Sequence, residues 1–297
     1  MPTLSPALLS SGLSEARACF DAKPWREAEI VEAEARIAVP TMLAPQERQF
    51  YYWAARDWAR GDGALVDLGA FAGGSTARFA AGASDAGHGA IIHAYDRFTA
   101  KEQTKQNVLY AAGVPPFDGR DILPLAQSFL APWAAQMRYH VGHIPDLGWP
   151  GGKIELLAVD AAKIATTTDL IAAQFFPALI PGRSLLIQQD FLHWSQPWLA
   201  AQMWRMRDAF LPVAHAPRDT ITFLCTAPVT PEIIEAGRIS QASDAELLAG
   251  IRAMRDALPE AWALKPRLRK TVAALRANPE VRIAWQMRAP QAEPRSD

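Results

Sequence analysis

Through the middle of the chain, short apolar runs alternate with longer stretches whose apolar residues recur every three or four positions. The apolar runs lie at 64–68, 90–95, 138–141, 154–159 and 184–188. Each has the length and predominant hydrophobicity of a strand candidate. Between them, segments near 74–82, 99–112, 121–136 and 165–179 suit helices. Repeated strand–helix alternation predicts a parallel sheet covered on both sides. Two more apolar runs follow, at 211–214 and 221–225. The residues between them are too few for a helical crossover, so the pair predicts an antiparallel hairpin. The whole reads as α/β: a doubly wound, mostly parallel seven-stranded sheet with an antiparallel last strand.

The flanks read differently. Pro24, Trp25, Arg26 and Glu27 open a helical run with acids in its first turn, where the helix dipole favours them. A second run, from 45 to 60, carries Phe50, Trp53, Ala54 and Trp58 at helical spacing, and Gly61-Asp62-Gly63 breaks it. Beyond Pro228 and Pro231, residues 243–258 and 263–277 read as amphipathic helices. The chain thus divides into an N-terminal helical extension (1–60), a sheet domain (61–228) and a C-terminal helical extension with a flexible tail (229–297). The tail begins near Ala289.

Composition narrows the function. Half of the 297 residues are hydrophobic and 21% are charged, which is the make-up of a globular chain. Thirty basic residues against 31 acidic ones remove the case for nucleic acid as a partner. From Trp262 onward, eight basic residues face three acidic ones, which reads as a solvated helix face and tail. No apolar run approaches the roughly 18 residues that a membrane span requires, and the first twenty residues lack the basic start of a signal peptide. The two cysteines, Cys19 and Cys225, form no CxxC pair and fit a reducing cytoplasm. A small-molecule substrate is the expected partner, and the helical ends are candidates for pairing two copies into a homodimer.

The informative segment runs from Ala64 to Thr76 (ALVDLGAFAGGST). A buried strand enters a turn with Gly69, Gly73 and Gly74, and a helix follows. Glycine lets backbone approach a ligand closely, and the helix start offers free N–H groups. Such a turn lies at the carboxyl end of the sheet, where α/β proteins bind ligands. A dinucleotide fingerprint has glycine where Phe71 stands, and a phosphate loop has lysine after its last glycine, where Ser75 stands. Asp67 before the turn and Asp96 at the end of the second strand argue further against a polyanion. A carboxylate after the second strand suits the two hydroxyls of a ribose. A ligand with ribose and no phosphate fits best, and S-adenosylmethionine is one.

On these residues the chain resembles class I S-adenosylmethionine-dependent methyltransferases, and more narrowly the macrocin O-methyltransferase and cephalosporin hydroxylase group. The resemblance covers about residues 40–226. It rests on Glu47, on Val66 to Thr76, on Tyr95-Asp96-Arg97-Phe98, on Gly142 to Asp146, on Leu157 to Asp160 and on Gln188 to Phe191. It implies a Rossmann-like sheet domain that binds S-adenosylmethionine. Gly69, Gly73 and Ser75 would face the methionine part, Asp96 would hold the ribose, and Gly142 and His143 would border the adenine. Asp67, Phe71, Thr76, Arg97 and Asp160 complete the implied cofactor set. Asp160 and Asp190 match positions where the group binds a divalent cation, and Gln189 would be a third ligand to magnesium. Two departures stand out: Ala162 and Gln189 replace acids that relatives often carry.

Methyl transfer from a sulfonium to a hydroxyl needs alignment of donor and acceptor and removal of one proton. Asp160, Asp190 and His193 are the candidate catalytic residues: a metal at the acids would acidify the acceptor hydroxyl, and His193 would be the base. His88, His93, His140 and His215 read as structural. Asp146 is a candidate for ordering the loop after the third strand. Trp149, Trp194 and Trp198 read as aromatic rim of the same mouth. The expected activity is O-methylation of a small hydroxylated metabolite, a sugar or natural product. The alternatives are a hydroxylase-like enzyme on the same fold and a noncatalytic metabolite-binding scaffold.

Overall fold

The computed structural model describes residues 6–290. The tail beyond 290 lies outside the described residues. Seven strands form one sheet: β1 (Ala64–Leu68), β2 (Ile92–Asp96), β3 (Met137–Val141), β4 (Ile154–Val159), β5 (Leu185–Gln188), β6 (Phe210–Ala216) and β7 (Thr220–Cys225). Their order is β3-β2-β1-β4-β5-β7-β6. The first five are mutually parallel; β7 runs antiparallel to β5 and forms a hairpin with β6. This is the doubly wound sheet with an antiparallel last strand that the apolar runs predict.

Successive strand residues point to opposite faces, so each buried strand feeds two cores. Leu65, Ile92, Ala94, Leu156, Leu185 and Ile187 face one side. There they meet the N-terminal helices, α1 (Pro6–Asp21), α2 (Ala28–Ala35) and α3 (Pro45–Trp53), with α4 (Gly74–Asp85) between. Val66, Leu68, Tyr95, Leu157 and Leu186 face the other side, under helices Ala165–Phe175, Trp198–Arg205, Asp244–Ala257 and Lys265–Ala277. The two extensions are thus opposite covers of one sheet. Each fully buried Leu or Ile contributes roughly 1.5–3 kcal/mol.

Polar ties fix the covers. Arg78 of α4 and Glu34 of α2 form a buried ion pair at 2.8 Å. Glu47 Oε2 accepts from the Ala44 N–H at 2.8 Å, and its Oε1 accepts from the Thr220 hydroxyl at 2.7 Å, which joins α3 to β7. Arg267 pairs with Asp219 and Arg282 with Asp244, so two cations of the basic C-terminal region are spent on internal pairs.

Three local expectations change. The helix expected over 99–112 is split into a short α-turn, a wide π-turn over Lys105–Leu109 and a 3-10 turn. The one expected over 121–136 breaks into Leu123–Phe129 and Ala131–Gln136, with Pro132 opening the second piece. Pro231 does not merely punctuate: it sits in the first turn of helix Pro231–Ala236, where a missing N–H costs nothing. Among the described residues, no helix is long and apolar enough to cross a membrane.

Candidate functional site

The parallel strands end along one edge of the sheet. Strand order reverses between β1 and β4, and a crevice opens where their following loops part. After β1, the N–H groups of Gly69 and Ala70 both donate to the Tyr95 carbonyl, at 2.8 and 3.1 Å. Gly69 has φ +104°, and a Cβ there would stand 3.0 Å from the Asp160 carbonyl oxygen. Gly73 has φ +91°, and its Cβ would reach 2.8 Å from Leu130. The first glycine lets the β1 turn pass β4; the second lets α4 start against its neighbour. Between them Phe71 adopts φ +50°, a conformation that costs a non-glycine residue on the order of 1 kcal/mol. Its N–H donates to Asp96 Oδ2 at 3.0 Å, which offsets that cost.

A cavity of about 290 Å³ lies at this edge. Its lining includes six of the expected cofactor residues: Gly69, Asp96, Arg97, Gly142, His143 and Asp160. It also includes Thr99, Lys163, Thr167 and Trp285, which sequence reasoning missed. A second hollow of about 560 Å³ adjoins it, lined by Asp190, His193, Trp194, Ser195 and Gln196. Lys163 and Trp285 line both. Together the two have the size of a site for a nucleoside ligand and a small acceptor.

The other expected cofactor residues are not among the lining. Asp67 is buried, and its Oδ2 accepts from the hydroxyls of Ser75 and Thr76 at 2.7 and 2.6 Å. Those hydroxyls hold α4 to β1 from within. Gly73 is packed against Leu130, and Phe71 turns toward the core on the α4 side.

Burial raises two acids at this edge of the sheet. Burial pushes the Asp67 carboxyl up to about 6, and the nearby Asp160 and Asp96 carboxylates push the same way. Burial also raises Asp96, against two backbone donors, Phe71 N–H and Phe98 N–H, the latter at 2.7 Å. A carboxylate has about four lone-pair directions, so Asp96 retains acceptors for a ligand's hydroxyls.

The two acids after β4 and β5 do approach each other, but a cation of the chain stands between them. Lys163 Nζ donates to Asp160 Oδ1 at 2.7 Å and pairs closely with Asp190 Oδ2. Gln196 Nε2 also donates to Asp190 Oδ2, at 2.6 Å. Gln189, expected as a third metal ligand, is buried, and its Oε1 accepts from the Tyr51 hydroxyl at 3.1 Å. Ala162, where relatives often carry an acid, is part of the core. Among the described residues, no three His, Cys, Asp or Glu side chains are grouped to hold a metal ion. The residues present therefore do not fit magnesium: two carboxylates remain, both spent on an ammonium.

His193 lies half-buried in the second hollow, three residues after Asp190. Its Nδ1 is 2.8 Å from the Ser195 hydroxyl. Burial holds its pKa below the ordinary histidine value, so the ring is neutral near pH 7. Trp194 stacks beside it at 5.6 Å. The other two tryptophans of the expected rim are elsewhere. Trp198 is fully buried at the start of its helix, with Nε1 donating to the Ala162 carbonyl at 3.0 Å. Trp149 precedes β4 and so lies at the opposite edge of the sheet. Asp146 is exposed and contacts His143 at 3.2 Å. One signal could have revealed Lys163: a lysine three residues after an acid that ends a strand reaches back to it.

No protein-family model matches the chain, and no curated protein sequence matches it. Solved structures do. The O-methyltransferase NovP aligns at 15% identity and TM-score 0.48, over 63% of this chain and 82% of its own. The pyocyanin biosynthetic protein PhzM aligns at 14% identity and TM-score 0.36, over 59% of this chain and 54% of its own. The Podospora anserina methyltransferase PaMTH1, solved with SAH bound, aligns at 13% identity and TM-score 0.36, over 86% of this chain and 91% of its own.

Proposed function

We propose that this chain is an S-adenosylmethionine-dependent methyltransferase that acts on a hydroxyl of a small metabolite. The observation that carries the reading is the crevice between the β1 and β4 loops. There Asp96, already held by the N–H groups of Phe71 and Phe98, keeps acceptors for two ribose hydroxyls. A ribose donates two hydroxyls to those acceptors; a pyrophosphate has no such donors to offer. Gly142 and His143, after β3, border the place of the base.

The acceptor belongs in the adjoining hollow, beside Trp194 and Trp285. Ser195 faces His193 Nδ1 with its hydroxyl at 2.8 Å and its N–H at 3.4 Å; in the tautomer that gives up the N–H contact and donates Nδ1–H to Ser195 Oγ, Nε2 presents a lone pair. The acceptor hydroxyl gives its proton to that nitrogen as its oxygen attacks the methyl carbon and the carbon–sulfur bond breaks. S-adenosylhomocysteine and the methyl ether leave. Holding both reactants in adjoining hollows makes the displacement effectively intramolecular.

Calorimetric titration with S-adenosylmethionine tests the reading. Wild type binds with 1:1 stoichiometry and Asp96→Ala loses most of the affinity; absence of wild-type binding sinks the proposal.

A further inference from the structure

We infer that Lys163 is the built-in cation of this site: its ammonium takes the place of a divalent ion between Asp160 and Asp190, and the chain binds no metal there. The two carboxylates come from different strand ends, after β4 and β5, and would repel each other without a charge between them. Lys163 supplies that charge, with one contact to Asp160 Oδ1 at 2.7 Å and another to Asp190 Oδ2. Its main chain is anchored. The Lys163 carbonyl accepts from the Ala284 N–H at 2.9 Å, and Ile164 pairs with Ile283 in an antiparallel bridge. The C-terminal extension therefore straps down the loop that carries the lysine.

An ammonium has three donors and no acceptor. Two serve the carboxylates and one remains. Lys163 lines both hollows, so the remaining donor belongs where a ligand in either would pass. Lys163 is thus a positioning residue: it holds the two acids at fixed separation and offers a hydrogen bond to an oxygen of the bound acceptor. The remaining ligand set agrees. Gln189 is turned inward to Tyr51, and Ala162 is in the core, so a divalent ion would find two carboxylates that already share a charge.

Manganese serves as the probe, because its paramagnetic resonance signal reports free ion directly. The full-length wild type is expected to leave Mn2+ free up to millimolar concentration. Lys163→Ala opens the carboxylate pair and is expected to bind one Mn2+ at least tenfold more tightly than wild type. Lys163→Arg keeps a cation and is expected to exclude Mn2+ again, and Lys163→Ala with Asp190→Asn loses the gained binding. Circular dichroism confirms that each variant is folded. Should the alanine variant not fold, Lys163→Met, which keeps most of the stem, replaces it. One equivalent of Mn2+ taken up by wild type as tightly as by the alanine variant overturns the inference, and so does Mn2+ binding by neither protein. The inference concerns ion occupancy and goes beyond the cofactor reading, whose failure appears separately in calorimetry.

Discussion

The two edges of the sheet carry hollows of opposite character. The larger, about 650 Å³, lies where the strands begin, among Gly61, His93, Arg138, His140 and Trp149. Its two histidines are spent on each other. His93 Nδ1 and His140 Nε2 are 2.8 Å apart, and burial pushes His93 down to about 4, so that pair is neutral. Beneath them Glu155 is fully buried and accepts from the N–H groups of Arg60, Gly61 and Asp62 and from Arg183, at 2.7–3.0 Å. The smaller hollow, about 290 Å³, lies where the strands end, and Asp96 in its lining keeps acceptors. Volume does not mark the site. Unspent hydrogen-bonding capacity in a half-buried carboxylate does.

That contrast can be broken by mutation. Glu155→Ala leaves three backbone donors and Arg183 without their acceptor, and is expected to cost roughly 3–5 kcal/mol in denaturant unfolding. The folded fraction should bind S-adenosylmethionine as before; weaker binding would mean that the two edges are coupled. Asp96→Ala should do the reverse. Two hydrogen bonds to a charged group are worth about 3 kcal/mol, or about a hundredfold in Kd, with a smaller loss of stability than Glu155→Ala. Equal stability losses in the two variants would erase the distinction.

His193→Ala is expected to lower kcat about a hundredfold, at the modest end for a lost general base, with cofactor affinity unchanged. Because burial depresses the His193 pKa, wild-type kcat should fall only below the pH at which an ordinary histidine titrates. A profile that breaks at higher pH would assign the base elsewhere.

A pH-dependent effect concerns Asp67. Its folded pKa, about 6, lies above the ordinary 3.8. Between those values the folded chain holds a proton that the unfolded chain has lost. The contribution of Asp67 to stability therefore falls as pH rises through that window, by at most about 1.4 kcal/mol per unit, and is constant above it. Asp67→Asn should flatten that part of the stability curve. An unchanged slope would place the titration on another acid.

Much of this was legible in the sequence. The strands Ala64–Leu68 and Ile154–Val159 match their apolar runs, because a strand buried on both faces is mostly apolar, Asp67 and Glu155 being the one exception in each. The acids at strand ends were readable because the turn after each strand fixes the edge on which they lie. Helix Trp198–Arg205 was not readable. Its buried part, Trp198 to Met203, is a short apolar run interrupted only by Gln202, and a run of that length does not by itself separate helix from strand. Gln189 looked like a ligand because alternation along β5 cannot say which neighbour of Asp190 turns inward.

The chain by itself determined the layering, the glycine turn and the row of carboxylates at one edge, since each follows from local periodicity and backbone geometry. Only the tertiary structure decided which groups meet. Lys163 reaches Asp190 because β4 and β5 are neighbours in the sheet, and Asp67 loses its solvent because α4 closes over it. Contact between distant segments depends on register and side-chain direction, and no local pattern encodes either.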